Sequence, residues 1–331
     1  MTHTDWNPEM LLELSGGYWK ICALHAAVEL DVFTVIGEDH LSAEAVAEKI
    51  HADARGTAML LNAMTAMHLL EKSGNLYTGV SGAVRFLSRT SSDYIGYMIK
   101  HHHHLVPSWG KLDEAVRTGK SVRTRATHGT EEERESFLMG MYNNAMTLAA
   151  RLIPTVDLSG RKSLLDLGGG PGTYAIQFCL KYPELKAVVF DLPTTRPFAE
   201  KTIAAHGLTD RIAFQAGSYL TDSVDGRYDV VWLSHNLHGE GPEDCQNIVR
   251  KAVAALVPGG MILIHEFILD NDMSGPLFPA LFSLNMLVGT SSGQAYSQQQ
   301  LIDMLAQCGV KNIRRIFFES PNNSGIVAGI V

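Results

Sequence analysis

Glycines, two aspartates and two histidines carry the residue types and spacing from which chemistry can be read. Ser163-Leu164-Leu165-Asp166-Leu167 has the apolar run of a strand and leads into Gly168-Gly169-Gly170-Pro171-Gly172. A helical pattern follows, with Tyr174, Ile176, Phe178 and Leu180 on or near its apolar side. Glycines at a strand-to-helix turn let backbone approach a ligand, and the helix N-terminus points its amides at ligand oxygens. The site therefore suits a nucleotide-like cofactor. A dinucleotide fingerprint, G-x-G-x-x-G, serves a pyrophosphate, whereas this turn can also be read as Gly168-x-Gly170-x-Gly172. Asp166, two residues before the first glycine, would repel a pyrophosphate but could receive an amino group, which points to S-adenosylmethionine. Ala187-Val188-Val189-Phe190 reads as the second strand and ends at Asp191, placed to accept both hydroxyls of a ribose. NAD sites use an acid in the same way, so Asp191 alone does not discriminate.

These residues need a scaffold. From Lys162 apolar strand patterns alternate with helical ones, which predicts a parallel sheet covered on both faces. The first third is helical instead: Tyr18 to Leu30 carries Ile21, Leu24, Ala27 and Val28 at helical spacing, and Ser42 offers an N-cap. A longer helical pattern runs from Asp53 to Leu70 and ends near Gly74, and the segment from Leu76 to Phe86 reads as a short strand pair. Helices followed by a small hairpin are the order of a winged helix, but the face of AMLLNAMTAMHLLEK is apolar rather than basic, which favours dimerisation over DNA binding. Residues from about 94 to 155 are expected to remain helical. They include His101-His102-His103-His104, which diverge by about 100° per residue on a helix and so cannot build a metal site alone. The expected division is residues 1–100, a connector of residues 101–160 lining the substrate pocket, and residues 161–331.

Composition narrows the partners. A net charge of −8 opposes non-specific attraction to nucleic acid. Cys22, Cys179, Cys245 and Cys308 lack paired metal-site spacing and read as free thiols in a reducing compartment. The opening MTHTDWNPEM lacks the order of a signal peptide, and no apolar run approaches the ~20 residues of a membrane span, so a cytoplasmic location is expected.

The succession LLDLGGGPGTYAIQF, VVFDLPTT, FQAGSYL, WLSHNLHGEGPEDC, LVPGGMILIHEFIL and GVKNIRRI resembles the plant-type small-molecule O-methyltransferases, a family that includes acetylserotonin and caffeic acid enzymes. YWKICALHAAVELDVF and LLNAMTAMHLLEK resemble the family's N-terminal winged-helix dimerisation domain. The resemblance implies a Rossmann-like α/β fold and a homodimer whose active site lies between the two domains, capped in part by the partner chain. It also implies cofactor contacts from Asp166, Gly168, Gly170, Asp191, Leu192, Gly217, Ser218, Tyr219 and Ser234.

In that family a histidine in an L-H-D-W motif deprotonates the acceptor; here Leu237-His238 is followed by Gly239 and Glu240. An imidazole, with a reference pKa near ~6.5, is largely neutral at cellular pH and can act as a general base. His235 is the second candidate, three residues earlier and expected to share a helical face. The family's first supporting acid matches Glu266, which would orient His238 or stabilise its imidazolium. Its second would fall at Ala295, with Tyr296 left to fill part of that space, and the Asp usual after Gly217 is Ser218, which can still bond adenine or water. The same match places Met141, Asn144, Met146, Phe282, Met286 and Thr290 near the acceptor. Such a lining suits a planar molecule with some polar atoms, and a hydroxybenzimidazole or hydroxyindole is the expected kind. Transfer to nitrogen, sulfur or carbon, and an inactive ligand-sensing regulator, stay open as alternatives; a dehydrogenase fits the glycine spacing and Asp166 less well.

Overall fold

The computed structural model describes residues 5–125 and 129–331, and the chain divides into two compact units, Met1–Leu105 and Val106–Val331.

The first unit opens with α1 (Pro8–Gly16), where Pro8 sits in the first turn and the Asn7 side chain accepts from the Met10 amide. It continues through α2 (Tyr18–Glu29), α3 (Val32–Ile36), β1 (Leu41–Ser42), α4 (Ala43–Lys49) and α5 (Ala54–Ala66). Ser42 does cap α4, accepting from Ala45, and Asp53 caps α5. The helical pattern to Leu70 stops short: His68 turns left-handed (φ 59°), and the chain enters β2 (Leu70–Ser73). Gly74 (φ 61°) then reverses it into β3 (Leu76–Gly79), antiparallel to β2 and to β1. The hairpin therefore lies earlier than predicted, and the segment expected as its second strand is helix α6 (Ser81–Leu87). Leu69 and Leu70 fit either period, so local pattern alone could not choose. Val28, Phe33, Val46, Leu61, Met64 and Tyr77 form the core. Helix α7 (Gly96–Trp109) carries the four histidines. His103 meets His25 edge to face at 5.7 Å, and burial, then the charges of His103 and His102, lower His25 to about 4.

In the second unit the expected helical stretch is broken. Gly119 (φ 66°) ends α8 (Leu112–Thr118), residues 120–125 are non-helical, and α9 (Glu131–Leu152) starts with a reciprocal cap between Thr130 and Glu133. Beyond it come β4 (Ser163–Leu167), α10 (Thr173–Lys181), β5 (Lys186–Asp191), α11 (Arg196–Ala205), β6 (Ile212–Ala216), β7 (Tyr228–Ser234), α12 (Pro242–Ala254) and β8 (Leu256–Leu269). The chain finishes with α13 (Leu277–Gly289), β9 (Tyr296–Ser297), α14 (Gln298–Gln307), β10 (Lys311–Ile316) and β11 (Ser324–Ile330). The described strands order as β10-β11-β8-β7-β4-β5-β6, parallel from β8 to β6 and antiparallel at β10 and β11, with β9 alongside the end of β8. One face is packed by Leu152, Phe178 and Trp232, the other by Leu167, Ile248 and Leu305. Leu180, predicted on the apolar side of α10, is exposed. The chain runs from β4 to β5 on one side and later returns to β7 on the other, so the C-terminal end of β4 is the switch point where such sheets bind ligands.

Candidate active site

At that switch point Gly168 (φ 70°) and Gly170 (φ 55°) adopt the left-handed backbone that other residues resist. A Cβ on Gly169 would stand 2.5 Å from the Asp166 Cγ, so the missing side chain is what lets this carboxyl fold beneath the turn. Asp166 Oδ2 accepts from the Ala175 amide at 3.2 Å, while Oδ1 is buried without a partner. Burial is the main cause that lifts this carboxyl to about 7; the Ala175 amide opposes the rise and the Asp191 charge adds to it. Asp191 accepts from the Gly170 amide (2.8 Å), the Leu192 amide (2.7 Å) and the Thr195 hydroxyl (3.0 Å). A carboxylate has about four acceptor positions, so a ribose would have to displace or share one of these donors. A Cβ on Gly217 would come within 2.4 Å of the Phe190 ring. The Ser218 amide donates to Asp222 at 2.9 Å, and the Tyr219 hydroxyl donates to Glu240 at 3.2 Å. Asn236, which the sequence did not single out, donates to the Leu167 carbonyl and occupies the space over Gly168.

The second half of the site grows from neighbouring strands. Ser234 ends β7 opposite His265 of β8, and its hydroxyl lies 2.9 Å from His265 Nδ1. His235 is left-handed (φ 56°), and a short turn, Leu237–Gly239, then carries His238. His235 and His238 therefore share no helical face, although their rings are 6.0 Å apart. Glu266, next along β8, is buried: its Oε2 lies 2.8 Å from His238 Nδ1 and 3.6 Å from His235 Nδ1, and its Oε1 accepts from the Leu237 amide at 2.9 Å. Burial pushes this carboxyl up, but His238 first, with His235, outweighs it and holds Glu266 well below the usual carboxylate range. An acceptor-only carboxylate at 2.8 Å favours the His238 tautomer that carries its proton on Nδ1. The His238 ring meets Phe282 at 4.7 Å and lies nearly parallel to Phe267 at 5.8 Å. Burial also lowers His235, with Glu266 opposing.

A polar brace surrounds this turn. Glu240 is buried and takes both arms of Arg125, at 2.7 and 3.0 Å. The Tyr296 hydroxyl donates to the Glu240 carbonyl at 2.6 Å, so it braces the turn and does not reach for His238. Ala295 is buried, its amide donating to Ser283 at 2.9 Å.

Residues 109–311 match the family model for the O-methyltransferase domain, and residues 12–89 match the O-methyltransferase dimerisation domain. The chain belongs to the O-methyltransferase family. It is 35% identical to a 3-hydroxy-5-methyl-1-naphthoate 3-O-methyltransferase of Streptomyces sahachiroi, covering 98% of this chain and 95% of that enzyme. It is 30% identical to the tetracenomycin polyketide synthesis 8-O-methyl transferase TcmO of Streptomyces glaucescens, over 96% of each. The crystal structure of human N-acetylserotonin methyltransferase in complex with S-adenosylmethionine superposes with a TM-score of 0.87 at 26% identity, covering 100% of this chain and 99% of that one. The O-methyltransferase is thus S-adenosylmethionine-dependent, with a mixed α/β catalytic domain and an N-terminal helical dimerisation domain.

The O-methyltransferase's residues fit that cofactor. The orphaned Asp166 oxygen beneath the glycine turn suits a cationic amino group, and the Asp191 carboxylate at the end of β5 suits ribose hydroxyls. The acceptor candidates divide. Phe282 and Met286 stand one turn apart on α13, and Thr290 is the residue that ends it; Phe282 faces His238, whereas the Thr290 hydroxyl is spent on the Met286 carbonyl and the Gly293 amide. On α9 Met141 is half-buried, Asn144 is exposed, and Met146 receives a hydrogen bond from Gln177. Arg125 went unseen in the sequence because nothing local pairs it with a residue 115 positions away.

Proposed function

We propose that this O-methyltransferase methylates the hydroxyl of a small aromatic or heteroaromatic acceptor, with His238 as the general base and Glu266 as its orienting acid. The observation that carries the reading is the His238–Glu266 contact of 2.8 Å, with the imidazole set against Phe282 and Phe267. S-adenosylmethionine, when bound, supplies an electrophilic methyl group. His238 Nε2 takes the acceptor's proton, and the buried Glu266 charge stabilises the imidazolium that results. The aromatic rings would hold a flat acceptor with its hydroxyl toward His238, and positioning of this kind can contribute about 7–11 kcal/mol. That the Streptomyces sahachiroi relative methylates a hydroxynaphthoate supports an aromatic hydroxyl as the acceptor.

In this reading Asp166, Gly168, Gly170, Asp191, Leu192, Gly217, Ser218, Tyr219 and Ser234 surround the cofactor, residues 1–100 form a winged-helix-like dimerisation domain, residues 101–160 a helical connector that lines the substrate pocket, and residues 161–331 the catalytic domain. The enzyme acts as a cytoplasmic homodimer. Support for the dimer comes from α1 and α2, which expose Leu11, Leu12, Leu14, Trp19 and Ile21, an apolar surface in search of a partner. Among the described residues no helix is long and apolar enough to cross a membrane. The test is a mass-detected methylation assay over phenols, hydroxyindoles and hydroxybenzimidazoles with wild type and His238→Ala. Methylated hydroxyls lost in the variant are expected; methylation of only amines or thiols, unaffected by the substitution, would overturn the proposal.

A further inference from the structure

Among the described residues Arg123 is a half-buried cation with no counter-charge. Its backbone is fixed, since the Val122 and Arg123 amides both donate to the Val288 carbonyl at the end of α13, at 3.0 and 3.2 Å. Its guanidinium lies over Gly289, where a Cβ would stand 2.5 Å from Nη2 and 2.6 Å from Cζ. Gly289 comes seven residues after Phe282, two helical turns on, and so shares the face that Phe282 turns to His238. The rise along α13 between them is on the order of 10 Å.

Two residues away Arg125 shows the alternative, because it forks onto Glu240. Among the described residues no carboxylate comes within ion-pair distance of Arg123, and its Nε is buried without a hydrogen-bond partner. The undescribed residues 1–4 and 126–128 include no Asp or Glu. Burial, unopposed by any acid, lowers Arg123 below an ordinary arginine. An unpaired charge in such a place is costly, and a planar guanidinium fork is matched by a carboxylate.

We propose that Arg123 is a carboxylate receptor at the far end of the acceptor site, so that the preferred acceptors are arene carboxylates bearing a hydroxyl at the opposite end. The proposal rests on the reading of His238 as the base. The apolar stripe of Phe282 and Met286 between His238 and Arg123 takes the ring system, and a fused bicyclic arene is of the size needed to bridge the two.

Calorimetry with 6-hydroxy-2-naphthoate, its methyl ester and 2-naphthol, each in the presence of S-adenosylhomocysteine, tests this without requiring turnover. The acid is expected to bind roughly ten- to a hundredfold more tightly than the ester, the worth of charge-assisted hydrogen bonds. Arg123→Gln should abolish the difference, Arg123→Lys should keep part of it, and S-adenosylhomocysteine affinity should hold in both as the check on folding. Wild-type binding of the acid no tighter than the ester, undetectable binding of both included, overturns the proposal, as does a preference that survives Arg123→Gln. If the acid binds through Arg123 and is not methylated, the receptor stands and the proposed function is what fails.

Discussion

Glu266→Gln keeps the size and shape of a buried side chain while removing one charge. The remaining carbonyl can still accept from the Leu237 amide, so the turn that carries His238 keeps its anchor. The Gln amide, however, donates toward His238 Nδ1 where the carboxylate accepted, which drives the imidazole proton to Nε2 and blocks the base. The imidazolium formed on proton transfer also loses its partner. With charge centres about 4 Å apart and an effective dielectric of about 20, that attraction is about 4 kcal/mol, or roughly three decades in rate. Single-turnover assays should therefore show kcat reduced by about 10³, with S-adenosylhomocysteine affinity unchanged. The loss should shrink for nitrophenols, which are already ionised and need no base. A loss below about tenfold with an ordinary phenol would refute the assignment of Glu266 to the base.

Burial pushes the Asp166 carboxyl up to about 7, and in the proposed reading its ionised form would meet the cofactor's ammonium group. S-adenosylhomocysteine binding should thus release a proton below about pH 7, weaken as pH falls through that value and level off above it; affinity independent of pH would contradict the role. Glu240→Ala strands Arg125 and the Tyr219 hydroxyl, and because Arg125 is partly solvated the cost should fall near the low end of a broken buried pair, about 3 kcal/mol. An unchanged melting temperature would show that the brace carries no weight. Gly217→Ala drives a methyl into the Phe190 ring and should cost about 1–3 kcal/mol, relieved by Phe190→Leu; equal melting curves with and without the second change would count against the contact. Leu12→Glu, on the exposed side of α1, should shift the protein toward monomer by light scattering, and a persistent dimer would move the interface elsewhere.

The glycine turn and its two acids were legible as a motif because its parts are local: a strand, a glycine turn and an acid lie within a few residues, and Asp191 ends the next strand. His238 and Glu266 came only with the family resemblance. Parallel pairing of β7 and β8, Ser234 opposite His265, is what brings them together, and register is not visible in either strand alone. The brace of Arg125, Glu240 and Tyr296 depends on three chain segments meeting, so no spacing announces it. The first unit shows the opposite failure. There the apolar period ran on through His68, while a single left-handed residue ended the helix and started the hairpin.

The bond from the Gly170 amide to the Asp191 side chain ties the glycine turn to the neighbouring strand. Left-handed glycines are otherwise the freest residues in a chain, and stilling them at the moment of binding would subtract from affinity. Here that entropy is surrendered when the protein folds, so the turn meets its ligand already rigid. Slow amide exchange at Gly170 before any ligand is added, with little further slowing afterwards, is the signature to look for.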